Sequence, residues 1–346
     1  MRELSAGALR LLVLLGVFAL TVLFFSSVIE NYLSPRLFNR ISTSVAIVAV
    51  IAVGQAFVVL TRNIDLSVGS VVGCTAYFLG GLLAVVPGIP APLVPLVAMA
   101  MGAVFGAVNG FLVSRFNLPS IIVTLGTLAI FRSILVQSSN GASITTSSVP
   151  AWVPEFAQAN AFEWNGLQVR WMVLMALAVV LVAHLVLSRL RAGRRFYAVG
   201  SNPDAAAFAG IDLRRTVFQA FVISGALAGL AGFMFLSRFG NITVVAGLGL
   251  ELKSVGAVVV GGVNIFGGSG SVLGVLIGAA LIDLIDNSLV RWEVVSEFWR
   301  EAVLGLLILL AVVLDATLSR RLLRRRMRRG TEAPASETPR PAEANP

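Results

Sequence analysis

Few residues in this chain could do chemistry, and their spacing limits what kind. Asp65 stands in the stretch Asn63–Gly73 (NIDLSVGSVVG), close to Asn63, Ser67 and Ser70. A carboxylate inside an apolar region is expensive, so it either marks a path for polar solutes or caps the helix that follows, with Ser67 assisting. Asp283 and Asp286 are three apart and share one helix face; they could line a path or sit near the outer interface. The chain has one histidine, His184, and one cysteine, Cys74. That excludes a His-cluster or Cys-based metal site and any internal disulfide, and both residues read as structural. Catalytic residues and metal ligands are therefore none, and a membrane-bound enzyme finds no clustered His, Cys or carboxylate site. Lys253 is the only lysine and follows Leu252, so the Gly-Lys-Ser/Thr of a phosphate-binding loop is missing. No cofactor is expected; if ATP drives the protein, another subunit must use it.

The next feature is mechanical. Arg189–Thr216 (RLRAGRRFYAVGSNPDAAAFAGIDLRRT) is an Arg-rich polar interruption holding a complete short helix signal. Asn202 is a good N-cap, Pro203 suits the first helical position, and Asp204 complements the positive helix end. Ala205, Ala206 and Ala207 favour helix, Phe208 follows, and Gly210 can supply the left-handed residue that ends it. About two turns are too short to stand alone in water. Such a helix is either a handle for a cytoplasmic partner or an amphipathic loop held at the membrane surface by its arginines.

The elements that position these residues are membrane helices. The 346 residues are 57% hydrophobic and 12% charged, with mean hydropathy +0.91, against about 25% charged in soluble domains. Apolar runs near the length that spans a bilayer cover Leu11–Ile29, Ser42–Leu60, Leu66–Val86, Leu96–Val113, Ile121–Val136, Trp171–Leu187, Val217–Leu236, Val272–Leu289 and Ala302–Leu318, with a short one at Val255–Phe266. This predicts an all-α polytopic membrane protein of about ten transmembrane helices, some short or broken. The pairs around 42–86 and 250–290 could each be two spans or a broken hairpin. Arg36, Arg40, Arg170, Arg238, Lys253, Arg291 and Arg300 would lie outside and Arg132 within the membrane. The other arginines would lie inside, which places both termini in the cytoplasm. Residues 1–319 read as one permease domain with the loop 189–216. Residues 320–346 read as a basic, disordered tail whose RRLLRRRMRR follows a span, as lipid contact rather than nucleic-acid binding requires. The outer segment Asn140–Arg170 carries Trp152, Phe156, Phe162 and Trp164, with Trp171 just after; these suit the interface belt or docking of a soluble partner.

Two halves show a weak internal repeat. NIDLSVGSVVG (63–73) and Asn264–Gly274 (NIFGGSGSVLG) match at six of eleven positions. Interrupted hydrophobic segments at corresponding places point to a solute path. Candidate path residues are Asn63, Asp65, Ser67, Ser70, Asn109, Thr124, Asn264, Ser269 and Ser271. Substituting Asp65 by Ala is expected to reduce uptake with the complex intact. Glycine ridges at 102, 106, 110 and at 270, 274, 278 suit close helix packing.

At GQAFVVLTRNIDLSVGSVVG (54–73), VNGFLVSRFNLPSIIVTLGTLAIFRSI (108–134), GRRFYAVGSNPDAAAFAGID (193–212) and LGLELKSVGAVVVGGVNIFGGSGSVLG (248–274) the chain resembles permease subunits of bacterial ABC importers for sugars, of the ribose/xylose/galactoside type. The resemblance covers roughly 10–318. It implies a type II importer bundle in the bacterial inner membrane, an ATPase subunit contacting the SNPDAAAFAGI loop, a periplasmic sugar-binding protein, and a second permease copy or paralogue. Arg62–Asn63 departs from the smaller residues usual there, and Pro119 stands alone where two prolines are common. The function implied is import of a monosaccharide such as a pentose or hexose, or a sugar-like signal molecule, by alternating access. The rival is an ion-gradient-driven secondary transporter or channel; uptake that stops without ATP but survives collapsed gradients separates them.

Overall fold

The computed structural model describes residues 6–292, 296, 299–310 and 313, with side chains from residue 10 onward. The basic tail 320–346 and the end of the expected tenth run lie outside the described residues. Twelve α-helices are defined: α1 (Ala6–Val28), α2 (Pro35–Leu60), α3 (Val68–Val85), α4 (Val94–Phe116), α5 (Ser120–Ser139), α6 (Trp152–Gln158), α7 (Trp171–Arg189), α8 (Arg191–Ser201), α9 (Pro203–Phe208), α10 (Leu213–Phe239), α11 (Leu250–Val260) and α12 (Val272–Arg291). Residues 300–310 are helical again. Among the described residues, eight helices are long and apolar enough to cross a membrane. We call the end of the bundle carrying α8 and α9 proximal, and the other end distal.

Burial follows composition. The α2 sequence is apolar all round, and 89% of its best spanning window is buried, as expected of a helix surrounded by others. α1 is equally apolar, but only 11% of its window is buried, so its side faces lipid. α10 packs on α4 through glycines. A Cβ at Gly102 or Gly106 would meet the backbone of Gly225, Gly229 or Phe221, so only hydrogen fits. Gly274 and Gly278 pack in the same way on Ala257 and Gly261. Gly270, expected on that ridge, lies in the loop before α12.

Several boundaries differ from the sequence reading. α2 starts at Pro35 because Ser34 caps it, its Oγ accepting from Leu37 N at 3.4 Å. Arg36 and Arg40, which precede the run expected at Ser42–Leu60, are thus on its helix. The short run expected at 255–266 is α11, Leu250–Val260, followed by a loop over 261–271. α11 is reached from α10 through irregular chain at 240–249. Ile242 there bridges Ile144 of the distal loop, so half of this crossing is not helical. The distal segment 140–170 holds α6 and a hairpin of β1 (Asn160–Trp164) and β2 (Leu167–Arg170), turned by Asn165 and Gly166 at φ 50° and 82°. Trp152 and Phe156 stack towards Phe233 inside the bundle, at 6.4 and 5.4 Å between ring centroids. Trp164 stays 76% exposed on the hairpin.

The acids of α12 are both buried in the protein, close to its distal end. Asp283 accepts from Ser44 Oγ at 2.9 Å and Asn287 Nδ2 at 3.0 Å. Asp286 is paired with Lys253 Nζ and lies 2.8 Å from Arg300 Nε. Lys253, expected outside, is the counter-ion of Asp286 at the distal end. Pairing is what makes such burial tolerable.

Candidate coupling hub and solute path

Both interrupted segments of the sequence repeat end their first helix in the same way. At the end of α2, Arg62 N donates to Val59 O and Asn63 N to Val58 O, with Arg62 at φ 66°. At the end of α11, Gly262 N donates to Val259 O and Val263 N to Val258 O, with Gly262 at φ 80°. The same bonding closes α9, where Gly210 at φ 78° donates to Ala207 O and Ile211 N to Ala206 O. A left-handed residue satisfies the last carbonyls and turns the chain back. The second break is longer, since α12 starts at Val272 whereas α3 starts at Val68.

The two breaks and α8 meet. Gly268 N donates to Leu60 O at 3.1 Å. A Cβ at Gly200 would strike Leu60 O and come 2.5 Å from Gly268 N. Tyr197 Oη donates to Gly270 O at 3.2 Å, and Phe196 packs edge-on to Phe57 of α2 at 5.2 Å. Arg62 completes the junction: its Nε donates to Gly200 O at 2.6 Å and its Nη2 to Ser201 O at 2.8 Å. The guanidinium fork thus holds the last carbonyls of α8, the negative end of that helix. Arg62, where the sequence departs from the smaller residues that the resemblance implies, clamps α8 to α2.

α9 hangs from this junction. Asn202 Oδ1 accepts from Ala205 N at 3.0 Å, Pro203 is the first helical residue, and Asp204 lies in the first turn. Ala206 is buried, whereas Ala205, Ala207, Gly210 and Phe208 are exposed, Phe208 at 93%. α8 was not separable in the sequence from the Arg-rich loop around it. Its signal is amphipathic: Gly193, Phe196 and Val199 face inward while Arg191, Arg194 and Arg195 face out.

The residues expected along a path divide into two groups. Asp65, Ser67, Ser70, Asn109 and Thr124 are buried together beneath the first break. Asp65 Oδ1 accepts from Ser67 N at 3.0 Å and Ser67 Oγ at 2.7 Å, and its Oδ2 accepts from Ser224 Oγ of α10 at 3.3 Å. Asn109 Nδ2 donates to Ser67 Oγ at 2.7 Å. Irregular backbone at membrane depth must find partners in protein. With the Gln55 amide oriented to suit its neighbours, it donates to Asp65 O and accepts from Asp65 N, both at 3.1 Å. Ser120 Oγ accepts from Ile64 N, and Thr124 Oγ1 donates to Ile64 O. Ser70 Oγ donates to Leu128 O. Asn63 is half-buried and bonds to Thr61. The second group, Asn264, Ser269 and Ser271, lies in the 261–271 loop at the proximal end. Asn264 closes that loop on Ser269 O and Phe266 N, while Ser269 and Ser271 are exposed. Gln55, Ser120 and Ser224 were missed; Gln55 and Ser224 are isolated polar residues within apolar runs, a signal that was available, whereas Ser120 stands just before one.

A family model described as a branched-chain amino acid transport system permease component matches residues 37–312. The chain belongs to this permease family. Among curated relatives, the autoinducer 2 import system permease protein LsrC of Enterobacter sp. (strain 638) is 38% identical over 93% of this chain and 89% of its own length. The Salmonella typhi protein of that name is 34% identical, covering 96% and 92%, and that of Escherichia coli O9:H4 (strain HS) is 34% identical, covering 87% and 84%. No solved structure matches the chain. The chain is thus a multi-pass transmembrane subunit of an ABC importer, a transport subunit with no enzymatic family indicated. The permease's two break loops and its short exposed helix form one connected proximal hub.

Proposed function

We propose that this permease imports a small neutral, sugar-like solute by alternating access, driven by ATP hydrolysed on a partner ATPase subunit that grips α9. The observation that supports this reading is Phe208, 93% exposed on a capped helix of six residues. A ring so exposed, on a helix that cannot stand alone, suits insertion into a partner's pocket. Force on α9 would pass through Asn202 and Ser201 to Arg62, and so to both break loops. Asn202, Pro203, Asp204, Ala205, Ala206, Ala207, Phe208 and Gly210 form the coupling element in this reading. Both termini then lie on the α9 side, in the cytoplasm, and a solute-binding protein and a second permease copy or paralogue complete the importer.

The solute class is argued from the break. Its polar groups are mostly hydroxyls and amides, which suit a neutral polyol better than a charged amino acid. Autoinducer 2, named for the relatives, and simple pentoses or hexoses are the candidates. Asp283 and Arg132, which an ion-driven rival would use, are already held: Asp283 by Ser44 and Asn287, Arg132 Nη1 by Val244 O and Ala246 O. In proteoliposomes containing the assembled importer, uptake of autoinducer 2 should require ATP inside the nucleotide-accessible compartment and survive collapsed proton and sodium gradients. Uptake that follows the gradients instead would overturn the reading.

Two substitutions probe the coupling path. Phe208→Asp should lower co-purification of the ATPase subunit and cut uptake to below about a tenth of wild type, since a desolvated aromatic anchor contributes 2 kcal/mol or more, roughly thirtyfold. Arg62→Lys keeps the charge but loses the fork. ATP hydrolysis should persist while solute moved per phosphate released falls about tenfold or more, in line with one charge-assisted hydrogen bond of roughly 1.5–3 kcal/mol. An unchanged ratio would remove Arg62 from the path.

A further inference from the structure

One carboxylate and one guanidinium within the span carry groups that the fold does not use. Glu251, in the first turn of α11, accepts from Gly249 N through Oε1 at 3.1 Å. Its Oε2 is buried with no partner among the described residues. Arg132 on α5 bonds to protein through Nη1 alone, donating to Val244 O at 2.9 Å and Ala246 O at 2.6 Å. Its Nε and Nη2 make no hydrogen bond among the described residues, and the residue is half-buried. Glu251 stands about 14 Å of helix from the proximal end of α11, and Arg132 about 18 Å from that of α5. Both are therefore away from the proximal hub. A charged group at such depth is costly and usually serves function, and a buried acceptor left unmet adds to the cost. The other buried acids differ: Asp65, Asp283 and Asp286 are all held, by Ser67 and Ser224, by Ser44 and Asn287, and by Lys253 and Arg300.

α3 sets the two groups side by side. A Cβ at Gly69 would strike Glu251 Oε2, and one at Gly73 would come 3.3 Å from Arg132 Nη1. Gly69 and Gly73 are one turn apart on one face of α3, so the carboxylate and the guanidinium follow each other along it. The same glycines let the crossing at 240–249 press on α3. A Cβ at Gly69 would lie 2.6 Å from Gly247 O, and one at Gly73 would strike Ala246 O. In this state α3 and the crossing cover Oε2. Gly247 and Gly249, at φ 77° and 84°, are the points where the crossing can swing. The surface beside the pair is apolar and open: Leu125 and Val136 on α5 and Val245 and Leu248 on the crossing are all exposed. Opposite charges side by side cancel. A few polar groups of both kinds beside apolar side chains suit a neutral polyol, its hydroxyls on the former and its C–H face on the latter.

We propose that Arg132 and Glu251 form a solute subsite: when the crossing swings off Gly69, Glu251 Oε2 accepts from vicinal hydroxyls of the solute and Arg132 Nε and Nη2 donate to its oxygens. The inference rests on the reading of this permease as an importer of a neutral, sugar-like solute. Charge-assisted hydrogen bonds give the pair its hold. Nη1 keeps Val244 O and Ala246 O throughout, so the solute and the crossing share one guanidinium. Return of the crossing covers Oε2 again and releases the solute.

The test uses the complete importer in proteoliposomes, with autoinducer 2 and ribose as the solutes. Glu251→Gln keeps an acceptor for Gly249 N, and Arg132→Lys keeps donors for Val244 O and Ala246 O. Both should hold the melting temperature and sustain ATP hydrolysis while uptake falls about tenfold or more, the loss of one charge-assisted hydrogen bond. A second measurement needs no variant. Dicyclohexylcarbodiimide, which modifies carboxyl groups in apolar surroundings, should label Glu251 of wild type during turnover, read by peptide mass spectrometry. Saturating solute should slow that labelling at least about threefold by occupying the site. A folded variant that imports like wild type overturns the proposal; where a variant loses melting temperature, the labelling decides. A Glu251 that is never labelled, or is labelled equally with and without a solute that wild type takes up, also overturns it. A wild type that takes up neither solute overturns the functional reading itself, an outcome distinct from normal uptake with unaffected variants.

Discussion

Gly225→Val should leave almost no folded permease. The Cβ would lie against the carbonyl of Gly102 and 2.7 Å from the backbone N and Cα of Gly106. These atoms belong to a helix backbone and cannot rotate aside, so α4 and α10 must separate. Overpacking of this kind costs about 3 kcal/mol or more, and here it also draws Ser224 away from Asp65. A loss of that size corresponds to a fall in melting temperature of roughly 4 °C for a chain of this length. Thermal stability in detergent and size-exclusion profiles would measure it. Gly81→Val is the control: a Cβ at Gly81 meets nothing within 4 Å, so that variant should fold and import normally. Equal tolerance at both positions would mean that the α4–α10 contact is not close.

Asp65→Ala should be nearly as damaging, and through the fold. It strips the acceptor from Ser67 N, Ser67 Oγ and Ser224 Oγ in a site where Asp65 is 1% exposed. Each buried donor left unmet costs about 1–3 kcal/mol, not additively, so a total of roughly 3–5 kcal/mol is expected. Asp65→Asn keeps one acceptor oxygen and offers an NH2 to Ser224, and should lose about 1 kcal/mol. If Asp65 serves the fold, Asn should restore both stability and most uptake. If Asn matches wild type in melting temperature but imports nothing, the carboxylate acts on solute.

These effects turn on what the sequence could and could not disclose. Helix runs were legible because apolar stretches near 20 residues have few alternatives in a bilayer. The α9 cap was legible because Asn202, Pro203 and Gly210 each have a local backbone reason. Asp65 could be recognised as a buried acid or a cap, but Gln55 and Ser224, which hold it, lie ten positions before it and on α10, and no local rule links them. Arg62 showed only as a departure, because its partners are carbonyls of α8. The distal arginines Arg36, Arg40, Arg170 and Arg238 were expected together on one side by charge bias, but their convergence depends on α2, β2 and α10 meeting in space. The hairpin at 160–170 escaped because one Asn-Gly turn with four or five residues on each side is faint beside long apolar runs.

The half-helical crossing at 240–260 has a consequence for biosynthesis. α11 has 11 residues, about 16 Å of helix, and the bilayer core is about 30 Å thick. The rest of the crossing is irregular chain whose carbonyls at Val244 and Ala246 are held by Arg132. A translocon sorting segments by apolar helical length would not release this one into lipid unaided. It depends on a berth built by α2 and α12 around α11 and by α3 and α5 around the irregular part. Its stable integration is therefore expected to wait until those neighbours are in place.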